Sequence, residues 1–188
     1  MNGMDMALAL CGEMRTGKDT VASYLQKAYG FEPFAFGDNL KKGFHYTYPH
    51  IPRDPKPVKG YQLYGQLMRY VNGDTYWINQ CFSDIDYAKQ HHRVKNKHFR
   101  PIITDMRQPN EFERCSNLGF ITIRVEAPLE ARMERIKAAG DEFDPNNLSF
   151  ETETHLRSFK VDYIVKNYGT LEDLYKQVDY IMHKIITK

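Results

Sequence analysis

Nine consecutive residues carry the clearest chemistry in the chain: Gly12, Glu13, Met14, Arg15, Thr16, Gly17, Lys18, Asp19 and Thr20. The two glycines let the backbone bend so that successive N–H groups point inward at anionic oxygens. A helix starting at about Lys18 turns its positive end on the same anion. Lys18 adds a mobile point charge for the outer oxygens of a polyphosphate.

The flanking residues are those such a loop needs. Residues 6–11 are a short apolar run, as a buried parallel strand would be. Beyond the loop, Val21, Tyr24, Leu25, Ala28 and Tyr29 recur at helical spacing, and Gly30 stops that helix. Strand, Gly-x4-Gly-Lys and helix together make a Walker A phosphate loop. One position departs from the usual pattern. Ser or Thr ordinarily follows the lysine and ligates magnesium, whereas here Asp19 intervenes before Thr20. Asp19 reads equally as a metal ligand and as a first-turn carboxylate favoured by the helix dipole. Phosphates and water would then hold much of the metal.

The elements that must position this loop alternate along the chain. Residues 31–36 predict a second strand, and Asp38 predicts a cap for a helix through about Phe44. Pro49, Pro52, Pro55 and Pro57 make residues 49–57 a loop. Helices follow from Gly60 and over about 77–85. Residues 102–105 predict a strand, 110–118 a helix and 120–125 a strand; Pro128 opens another helix. A polar loop over 140–147 precedes a strand at 161–165. Thr170 then caps a C-terminal helix. The alternation predicts an α/β fold, a parallel sheet with helices on both faces. All of it fits a single domain over residues 1–188.

Bulk properties exclude several classes. A net charge of +2 gives nucleic-acid binding no support. The basic run 89–100 has Phe99 as its only aromatic residue, so it lacks a stacking platform and reads as a solvated connection. Tyr61, Tyr64 and Tyr70 read as packing residues. Three cysteines without a CxxC pair argue against a disulfide framework or zinc site, and favour a reducing cytoplasm. No apolar run approaches a membrane span. The expected partner is a small nucleotide acceptor, with no nucleic acid and no membrane; a homodimer stays open.

Several further motifs lie in order along the chain: Phe36-Gly37-Asp38-Asn39-Leu40-Lys41, Tyr64-Gly65-Gln66-Leu67-Met68-Arg69 with Trp77, Asp105-Met106-Arg107-Gln108-Pro109-Asn110-Glu111, and Asn167-Tyr168-Gly169-Thr170. With the loop, they make the chain resemble a deoxynucleoside monophosphate kinase of the phage type, within the P-loop nucleoside monophosphate kinases. The resemblance implies a three-layer P-loop fold with a five-stranded parallel core. It implies an acceptor-binding segment over about 37–88 and a short lid over about 129–155. It also implies ATP and Mg2+ as cofactors, and transfer of the γ-phosphoryl group to a nucleoside monophosphate.

Site residues follow from both readings. Asp105 and Arg107 close a strand at its carboxyl end, where open α/β sheets bind ligands. Asp105 can hold a magnesium-bound water, although relatives often double this aspartate and Thr104 stands in the first position. Arg107 can grip the acceptor phosphate; a structural Asp–Arg pair is the alternative. Asp38, Lys41, Arg69 and Glu111 are candidates for the acceptor, with a helix cap and a surface arginine as the other readings of Asp38 and Arg69. Trp77 reads as core or as a wall of the base pocket. Arg132 and Arg135 share a helix face and can neutralise the transferring group; a solvated face explains them equally. Ala139-Gly140-Asp141 stands where relatives often carry an arginine. Asn167 falls where adenine usually rests, or forms a simple turn. Rival functions are another small-molecule P-loop kinase, such as a dephospho-coenzyme A kinase, and a nucleotide-binding module without catalysis.

Overall fold

The computed structural model describes residues 6–138 and 151–187. Five strands form one parallel sheet: β1 (Leu8–Cys11), β2 (Glu32–Phe34), β3 (Pro101–Met106), β4 (Ile121–Glu126) and β5 (Tyr163–Lys166), in the order β2-β3-β1-β4-β5. β1 is buried at every position. That explains its unbroken apolar sequence, since a central parallel strand is covered on both faces. From β1 the chain moves to one side of the sheet; from β3 it moves past β1 to the other. Right-handed crossovers then place α1 (Lys18–Tyr29) and α5 (Pro109–Asn117) on opposite faces. This reversal beside β1 is where open sheets bind ligands.

The chain divides into two compact units, the described residues up to Pro33 with those from Arg100 onward, and Phe34–Phe99. In the sheet-bearing unit, α1 and α8 (Leu171–Ile186) share one core. Leu8, Leu10, Val21, Leu25, Val125, Val165, Leu174, Val178 and Met182 are all buried in it. α6 (Leu129–Ala138) and α7 (Glu151–Ser158) complete the described helices of this unit. The unit closes where the sequence leaves it, because the Glu32 N–H donates to the Arg100 carbonyl at 2.8 Å.

The other unit is helical, with α2 (Phe36–Thr47), α3 (Val58–Asn72) and α4 (Tyr76–Val94). Phe36, Phe44, Trp77, Ile78, Cys81, Phe82, Ile85 and Phe99 are its buried apolar residues. Its own ends meet through the rings of Phe34 and Phe99, edge-on at 6.2 Å. The acceptor-binding segment expected over about 37–88 falls within this unit.

Some boundaries differ from expectation. The second strand stops at Phe34, and Ala35 is the N-cap of α2. Asp38 therefore sits in the first helical turn and does not cap it; its carboxylate still complements the dipole there. α4 runs on to Val94, so half of the supposed solvated connection is helix. No proline or glycine interrupts 76–94, and His91, His92 and Arg93 lie in the last turn, where cations are favoured. β5 starts at Tyr163, two residues later than expected; just before it the Asp162 carboxylate accepts from the N–H and hydroxyl of Thr122, both at 2.8 Å. Tyr70 is almost wholly exposed, not packed. α7 was not foreseen. The polar loop 140–147 and Ala139-Gly140-Asp141 lie outside the described residues.

Cys11, Cys81 and Cys115 are free and buried. Burial pushes the Cys11 thiol up to about 11, with Arg124 and Lys18 pulling weakly the other way. No described helix is long and apolar enough to cross a membrane.

Leu25 is fully buried in the shared core. Replacing it with alanine removes buried methyl groups and leaves a cavity, a loss of ~2–5 kcal/mol. A urea titration of Leu25→Ala should show a midpoint lowered accordingly, with the slope unchanged.

Candidate phosphate-binding site

Loop 12–17 joins the carboxyl end of β1 to α1, and its backbone is bent by three residues with positive φ: Gly12 (146°), Arg15 (60°) and Gly17 (102°). Glycine is required at both ends for a second reason. A Cβ on Gly12 would overlap the Val125 carbonyl, and one on Gly17 would overlap the Asn167 side-chain amide. Arg15 adopts the left-handed region with a side chain, which costs about 1–2 kcal/mol. The rest of the loop must hold it there.

Side chains take up the loop's carbonyls one after another. The Lys18 ammonium donates to the carbonyls of Gly12 (2.7 Å) and Glu13 (2.8 Å). The Thr16 hydroxyl donates to Glu13 (3.0 Å), Arg132 Nε to Met14 (2.8 Å), Arg135 Nη1 to Arg15 (3.0 Å), and Asn167 Nδ2 to Thr16 (2.9 Å). Each peptide is planar and trans, so a carbonyl tied on one side turns its amide to the other. The first backbone bond of α1 runs from the Val21 N–H to the Gly17 carbonyl at 3.1 Å. The amides ahead of Val21 thus precede the helix's own ladder and lie at its positive end. Gly17, as N-cap, brings no side chain to occupy that end.

The charges around the loop are mostly cationic. Lys18 and Arg132 are both buried. Glu13 supplies the counter-charge: one carboxylate oxygen pairs with Arg132, and the other lies 2.9 Å from both Nε and Nη2 of Arg157. Arg132 and Arg135, expected on one helix face, thus both reach the loop. Arg157 was not anticipated, because it lies two residues beyond the stretch of about 129–155 read as a lid.

The remaining candidates are distributed as follows. Sheet register sets Met106 beside Cys11, which brings the end of β3, and with it Asp105, next to the start of the loop. Asp19 is exposed in the first turn of α1, and Thr20 is half-buried one residue on. Arg107 is exposed. Glu111 is buried and forms a capping box with Gln108 at the start of α5, accepting from the N–H of Arg107 (2.7 Å) and Gln108 (3.0 Å). Its carboxylate therefore serves the backbone that carries Arg107. Asn167 likewise faces the loop's own backbone.

In the helical unit, Asp38 and Lys41 pair at 3.3 Å with half-exposed side chains. Neither they nor Arg69 lines that unit's cavity of about 420 Å³. It is bounded by Asn39, Lys42, Gly43, Tyr46, Tyr64, Tyr76, Trp77 and Gln80. Trp77 both packs and lines: its indole N–H donates to the Gly65 carbonyl at 3.1 Å, and its ring walls the cavity. The Asn39 amide is oriented by the Asp84 carboxylate at 2.8 Å.

Gly17→Ala should lower stability by about 1–2 kcal/mol for the left-handed backbone alone. It should also push Asn167 off the Thr16 carbonyl. A thermal melt paired with an ATP titration should show both losses together.

Comparison with known proteins agrees with this geometry. The chain is 26% identical over 193 residues to a protein of Acanthamoeba polyphaga mimivirus named "Putative deoxynucleotide monophosphate kinase", covering 91% of this chain and 93% of that one. Among solved structures, shikimate kinase from Aquifex aeolicus superposes with a TM-score of 0.54 at 17% identity, over 95% of this chain and 96% of that one. A sugar kinase from Janibacter sp. superposes with a TM-score of 0.55 at 13% identity, over 92% and 91%. These two show the fold alone. The family model described as an AAA domain matches residues 8–153. The chain belongs to that AAA domain family and has the fold of the P-loop kinases.

Proposed function

We propose that this chain transfers the γ-phosphoryl group of ATP to a (deoxy)nucleoside monophosphate, giving the diphosphate. The observation that carries this reading is the bent loop 12–17 running into the uncapped start of α1 with the Lys18 ammonium fixed on it. That arrangement suits a triphosphate. The name of the viral relative supports a nucleotide acceptor.

The helical-unit cavity supports the acceptor class independently. Tyr64, Tyr76 and Trp77 offer flat apolar walls, and Asn39 and Gln80 offer amides able to donate and accept. A planar base edged with hydrogen-bonding groups fits such a lining, and about 420 Å³ lies in the usual range for small-ligand pockets. In this reading Arg107 is the sheet-bearing unit's candidate for the acceptor phosphate, and Arg69, Asp38 and Lys41 are the helical unit's own candidates for the acceptor. Lys18, Arg132 and Arg135 offset the charge of the phosphoryl group in flight.

A magnesium ion held here would supply positive charge to offset that of the phosphates. The oxygen donors Thr20, Asp19 and Asp105 suit a hard cation. Among the described residues no three His, Cys, Asp or Glu side chains cluster as ligands. Phosphates and water would therefore complete the coordination.

Labelled ATP offered with a panel of monophosphates, dephospho-coenzyme A and shikimate tests the activity. Transfer to at least one monophosphate is expected; transfer only to the other acceptors, or to none, sinks the reading. Trp77 is the only tryptophan in the chain, so its emission reports the cavity directly. The accepted monophosphate should shift that emission at saturation. An unmoved emission beside measurable turnover would place the base elsewhere. Lys18→Ala should cut turnover by at least about a hundredfold while leaving the acceptor's fluorescence change in place.

A further inference from the structure

Glu13 sits oddly in a loop built for anions. A carboxylate beside bound phosphate repels it, and the neighbouring loop residues carry no other negative side chain until Asp19. Glu13 is also only 17% exposed, with both carboxylate oxygens engaged by arginines. Those arginines come from two different helices. Arg132 is on α6 and Arg157 is in the last turn of α7, and the chain between these helices lies outside the described residues.

Other contacts hold each arginine's backbone or head group in place. Arg132 is 3% exposed and also donates to the Met14 carbonyl. Two residues past Arg157, the Phe159 carbonyl accepts from Arg124 Nη1 at 3.1 Å, and Arg124 is itself paired with Glu126 at 2.9 Å on β4. The Arg157 side chain, by contrast, is 78% exposed, and it meets Glu13 through both Nε and Nη2. An exposed arginine has many rotamers, and an ion pair that selects one of them next to the loop acts on geometry more than on stability.

We propose that Glu13 is a positioning residue for phosphoryl transfer. Its single carboxylate draws Arg132 and Arg157 together beside the phosphate loop and fixes both guanidinium groups there. Two guanidinium charges outweigh one carboxylate, so the cluster stays cationic where negative charge must be offset. The fork of each guanidinium is then oriented before ATP arrives, which is the condition under which such charges act without reorganisation. This inference rests on the phosphotransfer reading above and adds Glu13 and Arg157 to it.

The experiment compares full-chain variants under the acceptor and ATP conditions at which the wild type turns over. Glu13→Ala should lower kcat about tenfold or more, with the KM for ATP changed less than about threefold, because a repelling charge leaves as the arginines loosen. Glu13→Gln keeps an oxygen acceptor of nearly the same shape and should lose less, about threefold. In an Arg132→Ala/Arg157→Ala background, Glu13→Ala should cost no more than about twofold further, since its partners are already gone. Thermal melts of each variant show that the assay temperature lies below unfolding; if Glu13→Ala does not fold, Glu13→Gln carries the comparison. A wild-type kcat in both Glu13 variants overturns the inference. So does a full further loss in the double-arginine background, since Glu13 would then act without its arginines. A wild-type chain that transfers phosphate to no acceptor fails at the first control, and overturns the underlying reading together with this one.

Discussion

A peptide group cannot point its carbonyl and its amide the same way, and the phosphate loop is organised around that fact. From Gly12 to Thr16 every carbonyl accepts a hydrogen bond from a side chain: Lys18, Thr16, Arg132, Arg135 and Asn167 share the task. These bonds hold the left-handed turn at Arg15 and set the amides in the opposite direction. Apart from Thr16 in the loop itself, the donors come from α1, from α6 and from the residue after β5. The loop's shape is therefore a tertiary property, though its motif is local. Removing the sheet or either helix would leave nine residues with no reason to keep this bend.

The same contacts explain why the site is mainly cationic yet rigid. Lysine and arginine side chains usually move freely on a surface. Here Lys18 and Arg132 are buried, and each is tied to loop carbonyls. Glu13 completes the arrangement by giving the arginines a fixed partner. The helical unit follows another logic. Its cavity is lined by rings and amides, with Lys42 as the one charged lining residue. It is suited to shape and hydrogen bonding more than to charge.

Much of this was legible in the sequence, for physical reasons that differ by element. β1 and α1 were readable because a buried strand, a glycine-spaced bend and an amphipathic helix are all local patterns. Thr170 announced α8 in the same way, and its capping box with Asp173 is present. The parallel sheet followed from the alternation of elements and its five strands from family resemblance, whereas the strand order was not readable, since pairing is non-local. What failed was local competition. Asp38 is a good cap in isolation, but Ala35 takes that position because the chain turns helical immediately after it. The basic run 89–94 looked like a linker because charge was weighed above the absence of helix breakers. Glu111 and Asn167 were candidates for ligand contact, and in the structure their side chains bond to backbone, Glu111 to the N–H groups of Arg107 and Gln108 and Asn167 to the Thr16 carbonyl. No pattern in one sequence tells a polar group turned outward from one turned in. The cavity of the helical unit was equally hidden: its lining comes from three helices, and only Trp77 had been considered for it.

The helical unit leaves and rejoins the sheet at one place. Glu32 and Arg100 are hydrogen-bonded on one side of that junction, and Phe34 and Phe99 touch on the other. A segment with adjoining ends adds little closure entropy to the rest, whatever its length. Changes of length between Ala35 and His98 can therefore leave the pairing of Glu32 with Arg100 in place.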